Sequence, residues 1–404
     1  MFQLIKMAYR NLNRNRRRSI LSALAVSLGL ALLLFIAAIL QGEIQGSLQT
    51  SIQLESGHLQ VRAASYVEEK SSLKWDNLVA NPDQLVAQIK TIPEVKVATP
   101  RLFASAILNS GNHSTGVQLI GIDPLSEANA PYTQSLVAGK YLTPDDQSGI
   151  YIGQPLADKL NVKVGDSVDL EANTSNGDVV DQAFTIRGLY LTHTPTIDQS
   201  VIFMPLAKAQ AITQTQNHAS AIVILLKNQD EAQSVAAAIK GSGYQVLTWQ
   251  KMNEVILTTE QLANGYMILI YLIVLAVTAT VIVNTLIMAV FERTREIGIL
   301  AAIGMKSRRI MALFLVEAGL LAVAGITVGL VLGWLICLYF GKFGFYIGNI
   351  GATGFLLGDR IYAVLTAHDT VELTIVALVV TLVASLYPAI IAARLEPVEA
   401  LHGN

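Results

Sequence analysis

One cysteine, Cys337, stands in 404 residues, so no intrachain disulfide can brace the fold. Charge is scarce as well. Only 14% of residues are Asp, Glu, Lys or Arg, and the mean hydropathy is +0.48, too apolar for a soluble protein of this size. Sites for nucleotide or metal chemistry are missing. Residues 111–116 imitate the first six positions of a phosphate-binding loop, but Val117 and Gln118 stand where Lys and Ser/Thr are required. There is no HExxH, CxxC or GxSxG, and the six histidines lack ligand spacing. These absences point away from an enzyme. No catalytic, cofactor or metal site is expected in the chain, and any work it does draws its energy from elsewhere.

Long apolar sequence is what the chain has in abundance. Residues 19–40, 265–291 and 373–393 carry no charge, and 310–340 carries one, Glu317. Each is long enough for a membrane helix of about 20 residues. Between 41 and 263 there are 14 basic against 22 acidic residues, whereas the rest is net basic, with its cations beside the apolar runs at 6–18 and 293–309. Basic residues stay cytoplasmic. The N-terminus, the 291–309 loop and the C-terminus are therefore expected inside, with 41–263 and 341–370 outside. The fold class that follows is an α-helical membrane protein with four transmembrane helices (1+3) and a large mixed α/β extracytoplasmic domain inserted between the first and second.

In chain order, residues 1–18 read as a basic amphipathic helix on the inner membrane surface. Phe2, Ile5, Tyr9 and Leu12 face lipid while the arginines meet anionic headgroups. A nucleic-acid arm is the competing reading, disfavoured because a span follows at once. Residues 19–40 are the first span, too long in its apolar part for a removable signal peptide. Its stalk continues to about 54, because Ile44, Leu48 and Ile52 keep a four-residue step. Residues 55–250 are the external domain. Runs at 58–61, 82–90 and 95–99, and again at 222–226, 230–240 and 245–247, give two β-α-β units of a split ferredoxin-like layer, with a β-rich insertion over about 104–215. Residues 251–291 are a second stalk and span, 292–309 a cytoplasmic helix, and 310–340 the third span. An outer loop (341–370), the fourth span (371–394) and a cytoplasmic tail (395–404) complete the chain.

Gly325, Gly329 and Gly333 line one face of the third span, which suits close helix packing, within the subunit or across a dimer, better than a pore. Asn284 in the second span is read as an interhelical hydrogen-bond partner. Glu317 falls at the inner interface if its span ends near 340, which argues against a proton relay.

The chain is organised around residues 289–305. Charges come first, at Glu292, Arg293, Arg295 and Glu296; Ile297, Leu300, Ala301 and Gly304 then keep the spacing of one helical face, and Gly304 is placed to end the helix. A short amphipathic helix between two spans suits contact with a partner protein, the alternative being a solvated loop.

These residues resemble the MacB/LolC–LolE/FtsX group of ABC transporter permeases, the mechanotransmission type. The likeness rests on Arg10-Asn11-Leu12, on Asn284 followed by Glu292-Arg293-Thr294-Arg295-Glu296-Ile297-Gly298, and on Ala302-Ile303-Gly304. It also rests on Tyr387-Pro388-Ala389, the 395–401 tail, and the run over 153–166 in the external domain. The resemblance implies that the helix after the second span docks on a separate ATPase, with Glu292, Arg293, Arg295, Glu296, Ile297, Gly298, Leu300 and Gly304 in contact. It implies two ATPase copies holding ATP and Mg, a second permease in a homodimer or a LolC/LolE-like heterodimer, surrounding membrane lipids, and no nucleic acid. It places the chain in a bacterial inner membrane, moving lipid-anchored or amphipathic substrates on the outer side. The lipoprotein-release branch fits best, through Gly57-His58-Leu59-Gln60-Val61 and the long 341–370 loop. MacB-like efflux and FtsX-like signalling to a cell-wall hydrolase are the alternatives, and a receptor without an ATPase is the alternative of another class.

Overall fold

The computed structural model describes residues 2–14, 16–66, 73–239, 243–347 and 360–395. The 396–401 part of the family-like tail and residues 348–359 of the 341–370 loop lie outside them. Contacts divide the chain into an external unit, Gln45–Thr258 with Tyr346–Ile361, and a membrane unit made of the rest.

Helix α1 (Phe2–Arg14) is followed by α2 (Arg16–Ser51), so Arg16, Arg17 and Arg18 belong to the spanning helix and not to the surface helix expected over 1–18. Ile5 and Tyr9 are exposed on α1, whereas Leu12 packs into the bundle. At 36 residues α2 is about 54 Å long against a hydrocarbon core of about 30 Å, so it overshoots any bilayer it crosses. Its last turn widens into a π-helix, Ile52–Ser56, closed by Gly57 at φ 63°.

Among the described residues, the Gln45–Thr258 segment of the external unit holds twelve strands. β1 (Leu59–Ala63), β3 (Val95–Ser110), β11 (Ala221–Leu226) and β12 (Tyr244–Thr248) form an antiparallel layer in the order β12-β1-β11-β3, the order of a ferredoxin-like layer. Helices α3 (Pro82–Ile89) and α8 (Ala232–Ile239) cover it, burying Leu85, Val86, Ile89, Val235 and Ile239 against Leu59, Val61, Ile222 and Ile224. β2 (Val79–Ala80) and β10 (His218–Ala219) make a small separate ribbon.

The insertion between β3 and β11 closes on itself. β4 (His113–Ile122), β9 (Val201–Pro205), β6 (Gly149–Gly153), β8 (Val179–Tyr190) and β7 (Ser167–Asn173) follow β3 in space, and β7 pairs back onto β3. Six strands thus form a barrel without a free edge, the arrangement that protects strands from pairing with other chains. Every second residue points inward, as in Leu102, Ala104, Ala106 and Leu108 of β3 and Val168, Leu170 and Ala172 of β7. β5 (Leu136–Gly139) adds to β8 from outside, and α4 (Ala130–Gln134), α5 (Gln154–Leu160), α6 (Pro195–Asp198) and α7 (Leu206–Ile212) fill the connections. Sequence reading ends the 95–99 strand at 99, before Pro100. The structure carries β3 through it: Pro100 pairs with Ile222 of β11, and β4 joins only from Leu102.

Short α9 (Trp249–Met252) ends at Asn253, and α10 (Glu254–Glu292) starts after it, so the second stalk is broken at 253 instead of running unbroken from 251. α11 (Thr294–Ala302), α12 (Ser307–Phe343) and α13 (Ala367–Arg394) complete the membrane unit. Four helices, Arg16–Ser56, Glu254–Glu292, Ser307–Phe343 and Ala367–Arg394, are long and apolar enough to cross a membrane. The glycine face of α12 is used inside the chain. A Cβ at Gly325 would lie 2.7 Å from Val26 Cβ, one at Gly329 2.8 Å from Ser27 O, and one at Gly333 2.8 Å from Leu34 Cδ1, all on α2. Hydrogen is what lets the two backbones approach.

Candidate coupling interface

The backbone turns between the second and third spans at Arg293. α10 stops at Glu292, Arg293 adopts φ −113° and ψ 14°, and α11 runs nine residues from Thr294. The separate helix between the two spans therefore covers Thr294–Ala302, shorter than the 292–309 segment read from sequence. Gly304, at φ 93°, allows a Schellman closure: its N–H bonds Ala301 O and the Met305 N–H bonds Leu300 O, each at 3.0 Å. Any side chain at 304 would strain that left-handed turn.

Two layers of contact hold α11 from behind. Ile297 is buried among Val290, Ile310, Phe314, Ala389 and Ala392, and Gly298 is buried beside it. Around this apolar patch lies a ring of ion pairs. Arg14 forks onto both oxygens of Glu296 at 2.7 and 2.8 Å, and Arg18 forks onto Glu292, with Nη1 at 2.6 Å. These side chains are partly exposed and screened, so they orient α1, α2 and α11 more than they stabilise them. Arg293 is different. Its side chain is 6% exposed and Glu317's 5%; Nη1 lies 3.5 Å from Glu317 Oε1, and Nη2 donates to Asn11 O at 3.1 Å. Removing either partner would leave a buried charge uncompensated.

The site residues read from sequence therefore divide. Arg295 and Gly304 face out and Leu300 is half-buried, whereas Arg293, Ile297 and Gly298 are turned into the bundle. Glu292 and Glu296 are exposed but engaged by arginines of the same chain. The correction has a geometric cause. α11 carries two apolar pairs on opposite faces, Ile297 with Ala301 and Ile299 with Ile303, and spacing alone cannot say which one the bundle covers. The bundle covers the first. Ile299 is 46% exposed and Ile303 76%, and they follow Arg295 at four-residue steps along the free face. Glu317 and Asn11 are further members that sequence reading missed as partners; a lone carboxylate in an apolar helix was the available signal.

Asn284 does not pack inside the chain. It is exposed on α10 and makes no side-chain hydrogen bond among the described residues. It lines up with exposed Val277, Val281, Met288 and Phe291 at steps of three and four.

The arrangement of one long helix, an external α/β domain and three further helices has a counterpart in known sequences. A model of the MacB-like periplasmic core domain matches residues 19–242, and one of the FtsX-like permease C-terminal region matches residues 268–397. The chain belongs to the MacB/LolC–LolE/FtsX family of ABC transporter permeases. It is similar to the lipoprotein-releasing system transmembrane protein LolC of Neisseria meningitidis, 26% identical over 76% of this chain and 78% of that one. LolE of Haemophilus influenzae is 26% identical over 86% of this chain and 85% of its own length. The macrolide export ATP-binding/permease protein MacB of Nitrobacter winogradskyi is 25% identical over 84% of this chain and 53% of its own. As an ABC permease, the chain is the membrane subunit of a transporter, and membership implies an ATPase and another permease as partners. Helix α11 itself lies wholly within the FtsX-like match.

Proposed function

We propose that this permease receives the stroke of a separate ATPase at the outer face of α11 and uses it to move its extracytoplasmic domain, releasing lipid-anchored substrates from the outer side of the membrane. The observation that carries the reading is the state of α11. It is pinned from behind by Ile297, Arg293 and the arginines of α1 and α2, while Arg295, Ile299 and Ile303 are left free. A rigid helix with an apolar, charge-flanked outer face suits a groove on a soluble protein. ATP and Mg belong to that partner, present in two copies, one per permease. The basic inner loops support cytoplasmic termini. Exposed Asn284 on the least covered span supports a second permease, because a polar group facing lipid is costly until a neighbouring helix meets it. The lipoprotein substrate follows the names of the LolC and LolE relatives, which align along most of their length.

The test is purification from cells that also express the neighbouring ATPase, followed by ATP turnover in lipid nanodiscs. Ile303→Asp with Arg295→Glu should abolish ATPase binding at unchanged thermal stability, whereas Ile297→Asp should destabilise the chain itself. Binding and turnover that survive the outer-face pair sink the docking assignment. Turnover that responds to a triacylated lipoprotein supports release. The MacB-like core domain over 19–242 favours efflux as the second reading, and turnover that responds to peptides or amphipathic drugs would choose it.

A further inference from the structure

The end of α2 is fastened in an unusual way. Carbonyls in the last turn of a helix have no partner from the next turn, and here they fall inside the external unit, where Leu54 is buried. Arg101, 1% exposed, supplies the missing donors: Nη1 bonds Leu54 O at 2.9 Å and Glu55 O at 3.2 Å. The other arm, Nη2, bonds Asn129 Oδ1 at 2.8 Å and Ala128 O at 3.4 Å. Tyr132 Oη donates to the same Leu54 carbonyl at 2.5 Å. Tyr132 is fixed in turn by Tyr151 Oη, which donates to its carbonyl at 2.9 Å, and by Phe203, whose ring centroid lies 4.2 Å away. Burial raises the phenols of Tyr132, Tyr151 and Tyr190, which keeps them neutral donors.

The position of Arg101 on β3 gives the fastening its meaning. Arg101 pairs with Ala221 of β11 as the last residue of the ferredoxin-like layer on that strand, and Leu102 pairs with Gly121 of β4 as the first of the barrel. Ser220 stitches the crossing, its N–H bonding Arg101 O and its Oγ accepting from the Phe103 N–H, both at 2.9 Å. An apolar side chain could fill this space at no loss of packing. What it could not do is hold a helix end against rotation or sliding, because apolar contact has no direction and a forked guanidinium does.

We propose that Arg101, assisted by Tyr132, is the pin through which displacement of α2 is delivered to the external domain, at the one point on β3 where the ferredoxin-like layer gives way to the barrel. The assignment rests on the reading that an ATPase moves this permease. Arg101 is a positioning residue: it touches no substrate and acts by making the barrel follow the helix.

The test uses the full chain with Cys337→Ser, spin labels at Gln49→Cys on α2 and Asp178→Cys on the barrel, and nanodiscs containing the ATPase. Both labelled positions are exposed. With the pin intact, the two labels should show one narrow distance, identical without nucleotide and after vanadate trapping. Arg101→Met should raise the share of chains outside that distance about tenfold, the factor expected when one charge-assisted hydrogen bond is lost. Tyr132→Phe should do so more weakly and Arg101→Lys should partly restore it, with ATP turnover unchanged throughout. A merely structural role would lower turnover and thermal stability together and leave the distance narrow in every chain that folds. A single narrow distance in folded Arg101→Met and Tyr132→Phe overturns the pin. Should Arg101→Met fail to fold, Tyr132→Phe and Arg101→Lys decide. If no ATPase binds the wild type, the coupling reading fails, and the nucleotide-free distance width still tests the pin.

Discussion

At the scale of single residues, one buried ion pair and one half-buried imidazole do the most. Arg293 and Glu317 face each other at 3.5 Å, yet Arg293 Nε and Nη1 and Glu317 Oε2 find no hydrogen bond among the described residues. The pair is therefore poorly compensated, and breaking it differs from removing it. Glu317→Ala should destabilise the chain by about 3 kcal/mol, and the double change Arg293→Met with Glu317→Leu should return thermal stability to near wild type. Equal losses in both variants, read by unfolding in detergent micelles, would disprove this account. His58 is the second case. Burial lowers its pKa, and its Nδ1 accepts the Leu226 N–H at 2.8 Å, which only the unprotonated nitrogen can do. Folded His58 thus binds its proton less readily than unfolded His58. Its contribution to stability is complete above the ordinary value of about 6.5 and declines as pH falls below it. The external domain should lose stability between about pH 7 and pH 5, and His58→Gln should flatten that slope in thermal melts across the range.

Among elements, the decisive contact is α12 on α2. Gly329→Leu would drive a side chain into Ser27 and Leu30 and should cost about 3 kcal/mol or more. Gly319 on the same helix has only Leu382 Cδ2 near its missing Cβ, at 3.9 Å, so Gly319→Ala should stay within about 1 kcal/mol of wild type. Comparable damage from both, measured as loss of folded protein on heating, would mean the glycine face is not the packing face. The glycine repeat at 325, 329 and 333 was visible in sequence, and so was the need for a close neighbour. That the neighbour is α2 of the same chain required the fold, since periodicity describes a face and not what lies against it. The same limit holds on α11, where Ile297 and Ile303 have equal hydropathy and opposite environments.

For the molecule as a whole, the consequence is that the α12 glycine face is spent internally and cannot also serve a dimer. Only 17% of the apolar stretch of α10 is covered within the chain, against 44% for α2, so α10 keeps the largest uncovered share of the four spans. Asn284→Cys, in a Cys337→Ser background, should cross-link to a second permease in native membranes, while Gly329→Cys in the same background should not. Cross-linking at 329 alone would reverse the assignment. The number of spans, their 1+3 order, the mixed α/β character of the external domain and the family could be read without a fold, because they depend on lengths of apolar sequence and on local motifs. That β3 runs through Pro100 into a closed barrel, that Arg101 holds the end of α2, and which face of α11 is free came from the folded chain alone. Each of these depends on pairing between residues tens to hundreds of positions apart, and hydropathy and spacing carry no information about such partners.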